Sequence, residues 1–254
     1  MAATVLAPYP ANDYGTRREA REGFAGLRRP PYQTNTAPAP CDLTSSLGTA
    51  ELEWAPAGPG WQDVALQLRL LLSRSTSLAI ATVVGARGAV VRQPGTVLVV
   101  TEAGQTIGFN PAGPLDGAIR DLAAEALATG QDRLECLRIE ADAAAYIGRS
   151  GQISLDVHAM RMDAADPAFG AMLRYLDSGL AAVLVIGTCG ATGSAVVGAG
   201  RVAGPASRPA LPPAVIQDAR SLLGRRHTVS RTYGPGGEKG GTGIRVWMRS
   251  YPQA

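Results

Sequence analysis

An apolar run that stops at a glycine loop occurs twice in this chain. Leu78-Ala79-Ile80-Ala81-Thr82-Val83-Val84 meets Gly85-Ala86-Arg87-Gly88, and Leu180-Ala181-Ala182-Val183-Leu184-Val185-Ile186 meets Gly187-Thr188-Cys189-Gly190. Runs this short and this uniformly apolar read as strands covered on both faces. The first is followed by Arg92, the Pro94-Gly95 turn, the run Thr96–Val100, a hairpin turn at Glu102–Gln105, Ile107-Gly108, a Gly/Pro-rich loop, and a helix over Leu115–Thr129 that Gly130 ends. The second is followed by a shortened strand-turn-strand over Ser194–Gly204 and a helix over Ala214–Leu223. Strand patterns at Leu134–Glu140 and Gln152–Met162 close the first half, and His227–Tyr233 and Ile244–Met248 close the second. Identity between the halves is low but the order of elements is shared. The expected fold class is therefore α/β, with two similar mixed-sheet lobes, flanking helices and an internal duplication, sharing a cleft.

Helical spacing also marks Asp63–Leu72 and Pro167–Gly179, the latter with Phe169, Met172, Leu173 and Leu176 on one side. Residues 1–59 differ in texture. Pro30-Pro31 and Ala37-Pro38-Ala39-Pro40 interrupt any regular element, which suits a long irregular N-terminal extension with at most a short helix at Thr16–Leu27. The expected division is thus 1–59 for the extension and 60–254 for the α/β domain, its lobes covering about 60–163 and 164–254. Tyr9, Tyr14, Phe24, Tyr32 and Trp54 would allow the extension to wrap a partner subunit.

Composition narrows the function. Residues of hydrophobic type make up 46% of the chain but aromatic ones only 5%, so Ala, Val, Leu and Ile must build the core. A net charge of +3 without a concentrated basic stripe argues against nucleic acid. No uninterrupted apolar run approaches membrane-spanning length, and the N-terminus lacks the basic-then-apolar order of a secretion signal. Cys41, Cys136 and Cys189 form no CxxC pair and no zinc spacing with His158 and His227, so no metal site is expected. A cytoplasmic, disulfide-free protein is the simplest reading.

The sequence from the first apolar strand through Arg92-Gln93-Pro94-Gly95, the second strand, the loop Gly108–Gly113 and the acidic helix start at Asp116 resembles the N-terminal domain of the xanthine dehydrogenase accessory family (XdhC/CoxI type). Ser150-Gly151-Gln152-Ile153 and Ile244–Pro252 extend the resemblance, which runs roughly over Asp63 to Pro252. It implies an accessory protein that binds molybdopterin-type cofactor as cargo and serves a molybdenum hydroxylase. Two departures matter. Pro114 and Ser150 stand where the family carries loop cysteines, and Asp116 stands for a glutamate, so cysteine-based sulfur transfer is not expected, because no other side chain forms a persulfide. Many family members continue into a C-terminal dinucleotide-type domain, which a chain ending at Ala254 is expected to lack. A divergent enzyme reusing the scaffold, or a non-catalytic subunit of a complex or homo-oligomer, are the competing readings.

Candidate residues follow. Arg92 corresponds to the family's turn arginine and can grip a phosphate or carboxylate through paired hydrogen bonds. Gly95, Gly108, Asn110 and Gly113 would bring backbone N–H groups to an anionic small molecule at a helix start, although Pro111 and Pro114 remove two donors. Asp116 either caps its helix or acts in catalysis. His158 falls on the same strand face as Asp156, an arrangement suited to a general base or to a hydrated polar face. Cys189, in a glycine loop, reads as a relocated thiol nucleophile or as a small buried cysteine, and Cys136 reads as core. The loop Gly234–Gly243 lacks the phosphate-loop pattern and reads as a mobile hairpin, a lid over the cleft.

Overall fold

The computed structural model describes residues 52–54, 61–72, 77–88, 92–108, 114–139, 153–163, 166–189, 194–204, 211–240 and 243–251, all within one compact unit, Thr34–Ala254. The helix expected at Thr16–Leu27 and most of the N-terminal extension lie outside the described residues.

The chain opens with β1 (Leu52–Trp54), then runs α1 (Trp61–Leu72), β2 (Ser77–Arg87), β3 (Val97–Thr101), β4 (Thr106–Gly108), α2 (Pro114–Thr129), β5 (Arg133–Ile139) and β6 (Ile153–Asp163). The same seven-element order as α1 to β6 then repeats: α3 (Pro167–Asp177), β7 (Ala182–Cys189), β8 (Ser194–Val197), β9 (Val202–Ala203), α4 (Pro213–Ser221), β10 (Thr228–Tyr233) and β11 (Ile244–Tyr251). One sheet has the order β4-β3-β2-β6-β5 and the other β9-β8-β7-β11-β10, with β1 added outside β10. The internal duplication read from the apolar runs is therefore present strand for strand.

Two details differ from the sequence reading. Every pairing in both sheets is antiparallel, where mixed sheets were expected. Consecutive strands fold back as hairpins, and the crossover helix carries the chain from one sheet edge to the other, where it again pairs antiparallel. Leu52–Trp54 pair with Ser230, Val229 and Thr228, so the end of the extension contributes an edge strand.

Three apolar clusters organise the lobes. The central one joins the facing sides of both sheets with α1 and α3: Leu78, Ile80, Val97, Val99 and Met160 meet Leu68, Phe169, Met172, Leu184, Ile186 and Trp247. The outer face of the first sheet is covered by α2 through Ile119, Leu122, Ala123 and Ala126. The outer face of the second is covered by α4 through Val215, Ala219 and Leu222. Each fully buried aliphatic side chain here contributes roughly 1.5–3 kcal/mol. Helix ends obey local rules: Asp166 caps α3 by accepting from the Phe169 N–H (2.9 Å) ahead of Pro167, and Gly130 ends α2 at φ 67°.

The hairpin joining β10 and β11 is fastened down. Tyr233 bridges Lys239, Lys239 Nζ donates to Asp218 of α4 (2.6 Å), and a Cβ on Gly237 would sit 3.1 Å from the Ala214 Cβ. In place of a lid over a cleft, the described part of this loop lies against α4. Between the sheets the described residues form the central apolar cluster.

Candidate functional site: the arginine-clasped turn

β2 and β3 are joined by a turn that returns to β2 at once. Gly95 N–H donates to the Val83 carbonyl (2.7 Å), Val83 N–H to Thr96 (3.0 Å), and Thr96 N–H to Gln93 (3.1 Å). Gly95 adopts φ +94°, a conformation that favours glycine. Arg92, at the start of the turn, reaches the first turn of α2: its Nε donates to Asp116 Oδ1 (3.1 Å) and its Nη2 to Oδ2 (3.0 Å). Both side chains are mostly covered, at 21% and 11% exposure. Arg92, expected as an anion grip, and Asp116, expected as a helix cap or a catalytic group, thus meet as a fork-to-fork ion pair. The pair fixes the direction of the turn and the start of α2 together. Asp116 also lies where the N-terminal end of the helix dipole favours a carboxylate.

Gly108 is close by in the sheet, because Leu98 of β3 pairs with Gly108 of β4. It has φ +112°, and a Cβ there would collide with the Val97 carbonyl. Its backbone therefore needs glycine for packing, irrespective of any ligand. Asn110 and Gly113 lie outside the described residues.

His158 and Cys189 are elsewhere. His158 sits on the inward face of β6, 3% exposed, with Nε2 3.5 Å from Asp132 and a buried Nδ1 that finds no partner. Thr82 is opposite both Val97 and His158, so His158 is two strands from the clasped turn, about 10 Å at ordinary strand spacing. Asp156, on the same face of β6, is instead near Arg87 (3.9 Å) and fills the space beside Gly85. Cys189 ends β7 in the other sheet, its backbone opposite Arg245. The described cysteine thiol is that of Cys136. Burial pushes its pKa up, a hydrogen bond from Arg138 pulls it down, and the Asp156 charge raises it again, leaving a net increase. It is held as a thiol at neutral pH, the weak form for nucleophilic or sulfur chemistry. Among the described residues no group of three His, Cys, Asp or Glu side chains is placed to hold a metal ion.

One residue at the turn escaped the sequence reading. Arg249 of β11 crosses from the second lobe and donates from Nη1 to the Gly95 carbonyl (2.6 Å). It is 8% exposed and its guanidinium stands 5.3 Å from the centroid of the Tyr251 ring. A Cβ on Gly95 would collide with that guanidinium, a second reason for glycine at this position. The signal was present: Trp247, Arg249 and Tyr251 alternate onto one buried strand face, and a charge there is out of place.

Fold and turn together define a duplicated α/β scaffold whose first lobe ends in an arginine-clasped turn beside a helix start. Residues 71–139, from the end of α1 through β5, match the model of the XdhC and CoxI family. Among curated proteins no sequence matches. A solved structure described as a xanthine dehydrogenase from Bacillus halodurans is similar at 14% identity and a TM-score of 0.49, over 74% of this chain. The chain spans about half of that protein, 52% of its length. No helix among the described residues is long and apolar enough to cross a membrane.

Proposed function

We propose that this chain is an accessory protein that holds a molybdopterin-type cofactor as cargo for a molybdenum hydroxylase and does not transfer sulfur through cysteine. The observation that carries this reading is the family match over residues 71–139, which contains the whole Arg92–Asp116 clasp. The cargo would lie beside the Arg92–Gly95 turn and the start of α2. Arg92, held in one orientation by Asp116, is a positioned cation for a phosphorylated ligand. Asp116 orients Arg92 and the helix start, a role that needs no proton transfer. By the sequence resemblance Pro114 and Ser150 stand where the family carries loop cysteines, and the raised pKa of Cys136 gives no substitute thiolate. A cytoplasmic setting accords with this role and with the free Cys136 thiol.

Mass spectrometry on protein purified gently from its own host tests the reading. A phosphorylated pterin or a companion hydroxylase chain carried through purification is the expected result. Folded protein that consistently carries neither, from cells making active hydroxylase, contradicts it. Loss of turnover in Arg92→Ala, Asp116→Ala and His158→Ala variants of a reaction the isolated chain performs would favour the divergent-enzyme alternative.

A further inference from the structure

Arg249 carries a charge that the described residues do not balance. Its side chain is 8% exposed, and its partners among the described residues are one backbone carbonyl and one aromatic ring. Among the described residues no carboxylate pairs with it, whereas two further well-covered arginines have one: Arg92 has Asp116, and Arg231 has Asp218. A buried charge without a counter-ion is costly, and proteins normally avoid it or supply an opposite charge. A guanidinium offers five N–H donors, of which the Gly95 carbonyl takes one. Gly95 is shaped around it, since both its φ and the missing Cβ leave the guanidinium its place. The carbonyl and the ring aim the fork but leave its charge unanswered.

We infer that Arg249 is an anion-binding residue, reaching from the second lobe to complete a site on the first, and that its counter-ion is a phosphate or carboxylate of a bound small molecule. The anion docks against Arg249 beside the Arg92–Gly95 turn. Because the turn belongs to β2 and β3 and the arginine to β11, the ligand bridges the lobes. Within the proposed cargo-holding role, on which the identity of the natural ligand rests, Arg249 takes the phosphate of the pterin. The anion site itself does not depend on that role.

The test uses the full chain and inorganic phosphate as probe, titrated against chloride at matched ionic strength and read by isothermal calorimetry. Saturable phosphate binding is expected, weakened about tenfold or more in Arg249→Met, the usual effect of losing a charge-assisted contact. Arg249→Lys keeps a charge without the fork and is expected in between. Arg174→Ala, an exposed arginine on α3, is expected to bind as the parent does. Circular dichroism identifies which variants fold. If Arg249→Met fails to fold, Arg249→Lys decides: affinity equal to the parent overturns the inference. So does a folded Arg249→Met with parental affinity, or an unaltered chain that binds no phosphate. Molybdopterin is then titrated in the same way. Arg249-dependent phosphate binding with no molybdopterin binding removes the cargo reading and keeps the anion site. Molybdopterin binding that ignores Arg249 does the reverse.

Discussion

The two lobes share one topology but secure their outer helices by different means. In the first lobe α2 covers the sheet with apolar side chains alone; Asp116 meets Arg92 at the helix start, and Arg120, Asp121 and Glu125 lie on its exposed side. In the second lobe α4 buries a carboxylate. Asp218 is 5% exposed and receives the Tyr233 hydroxyl, Arg231 (2.7 Å) and Lys239 (2.6 Å). Matching the sheets through Thr82–His158 and Leu184–Arg249 places Arg231 where the first lobe has Leu137. A duplicated frame thus tolerates either an apolar seam or a fully partnered polar one. Half a polar seam is the arrangement neither lobe shows.

The largest effects should come from mixing the two solutions. Leu122→Asp buries a carboxylate without a partner, and Asp218→Leu strands Arg231 and Tyr233. Each is expected to cost about 3–5 kcal/mol in denaturant unfolding, whereas Leu122→Met should cost under about 1.5 kcal/mol. The polar seam also predicts a pH signature. Burial pushes the Asp218 pKa up, but hydrogen bonds from Lys239, Tyr233 and Arg231 outweigh it and hold the carboxyl below its usual range. A depressed folded-state value means that this contribution is present above about pH 4 and is lost as pH falls through the folded-state value. Tyr233 is shifted upward, first by burial and then by the Asp218 carboxylate. Its contribution is intact below about pH 10 and is lost as pH rises through the raised value. The acid loss should be absent from Asp218→Leu, and the alkaline loss reduced but retained through burial of Tyr233, when unfolding midpoints are followed across pH.

A second contrast lies at the sheet edges. By the same register Gly108 of β4 corresponds to Val202 of β9. Gly108 is pressed against the Val97 carbonyl with positive φ, while Val202 is exposed. Gly108→Ala should therefore cost about 3 kcal/mol, from strain and displacement. Val202→Ala should stay within about 0.5 kcal/mol, as surface changes do. Thermal unfolding of the two variants side by side measures the difference.

The smallest effect concerns the clasp itself. A double-mutant cycle of Arg92→Ala and Asp116→Ala should give a coupling of about 1–2 kcal/mol, above that of exposed pairs, because both side chains are mostly covered. Zero coupling would mean that the two residues act separately on the turn.

Much of this frame was legible because it rests on backbone requirements and uninterrupted apolar runs. Leu78–Val84 and Leu180–Ile186 revealed the duplication, and Pro94-Gly95 with Gly130 marked a turn and a helix end. Strand direction was not legible, since a run buried on both faces looks alike in parallel and antiparallel sheets. The edge strand Leu52–Trp54 is too short to show a period and exists only through its pairing with β10. Asp218 did not stand out within the Ala214–Leu223 helix, because its partners Arg231, Tyr233 and Lys239 come together only through the fold. At the site, Arg92, Gly95, Gly108 and Asp116 were visible as a group along the chain. The pairing of Arg92 with Asp116 was not, and neither was Arg249, which arrives from the last strand.

Equilibrium titration of molybdopterin against the full chain and its Arg92→Ala variant tests the central claim most directly. Saturable binding to the unaltered protein, weakened about tenfold in the folded variant as expected for a lost charge-assisted contact, is the predicted result. A folded, unaltered chain that binds no molybdopterin would contradict it.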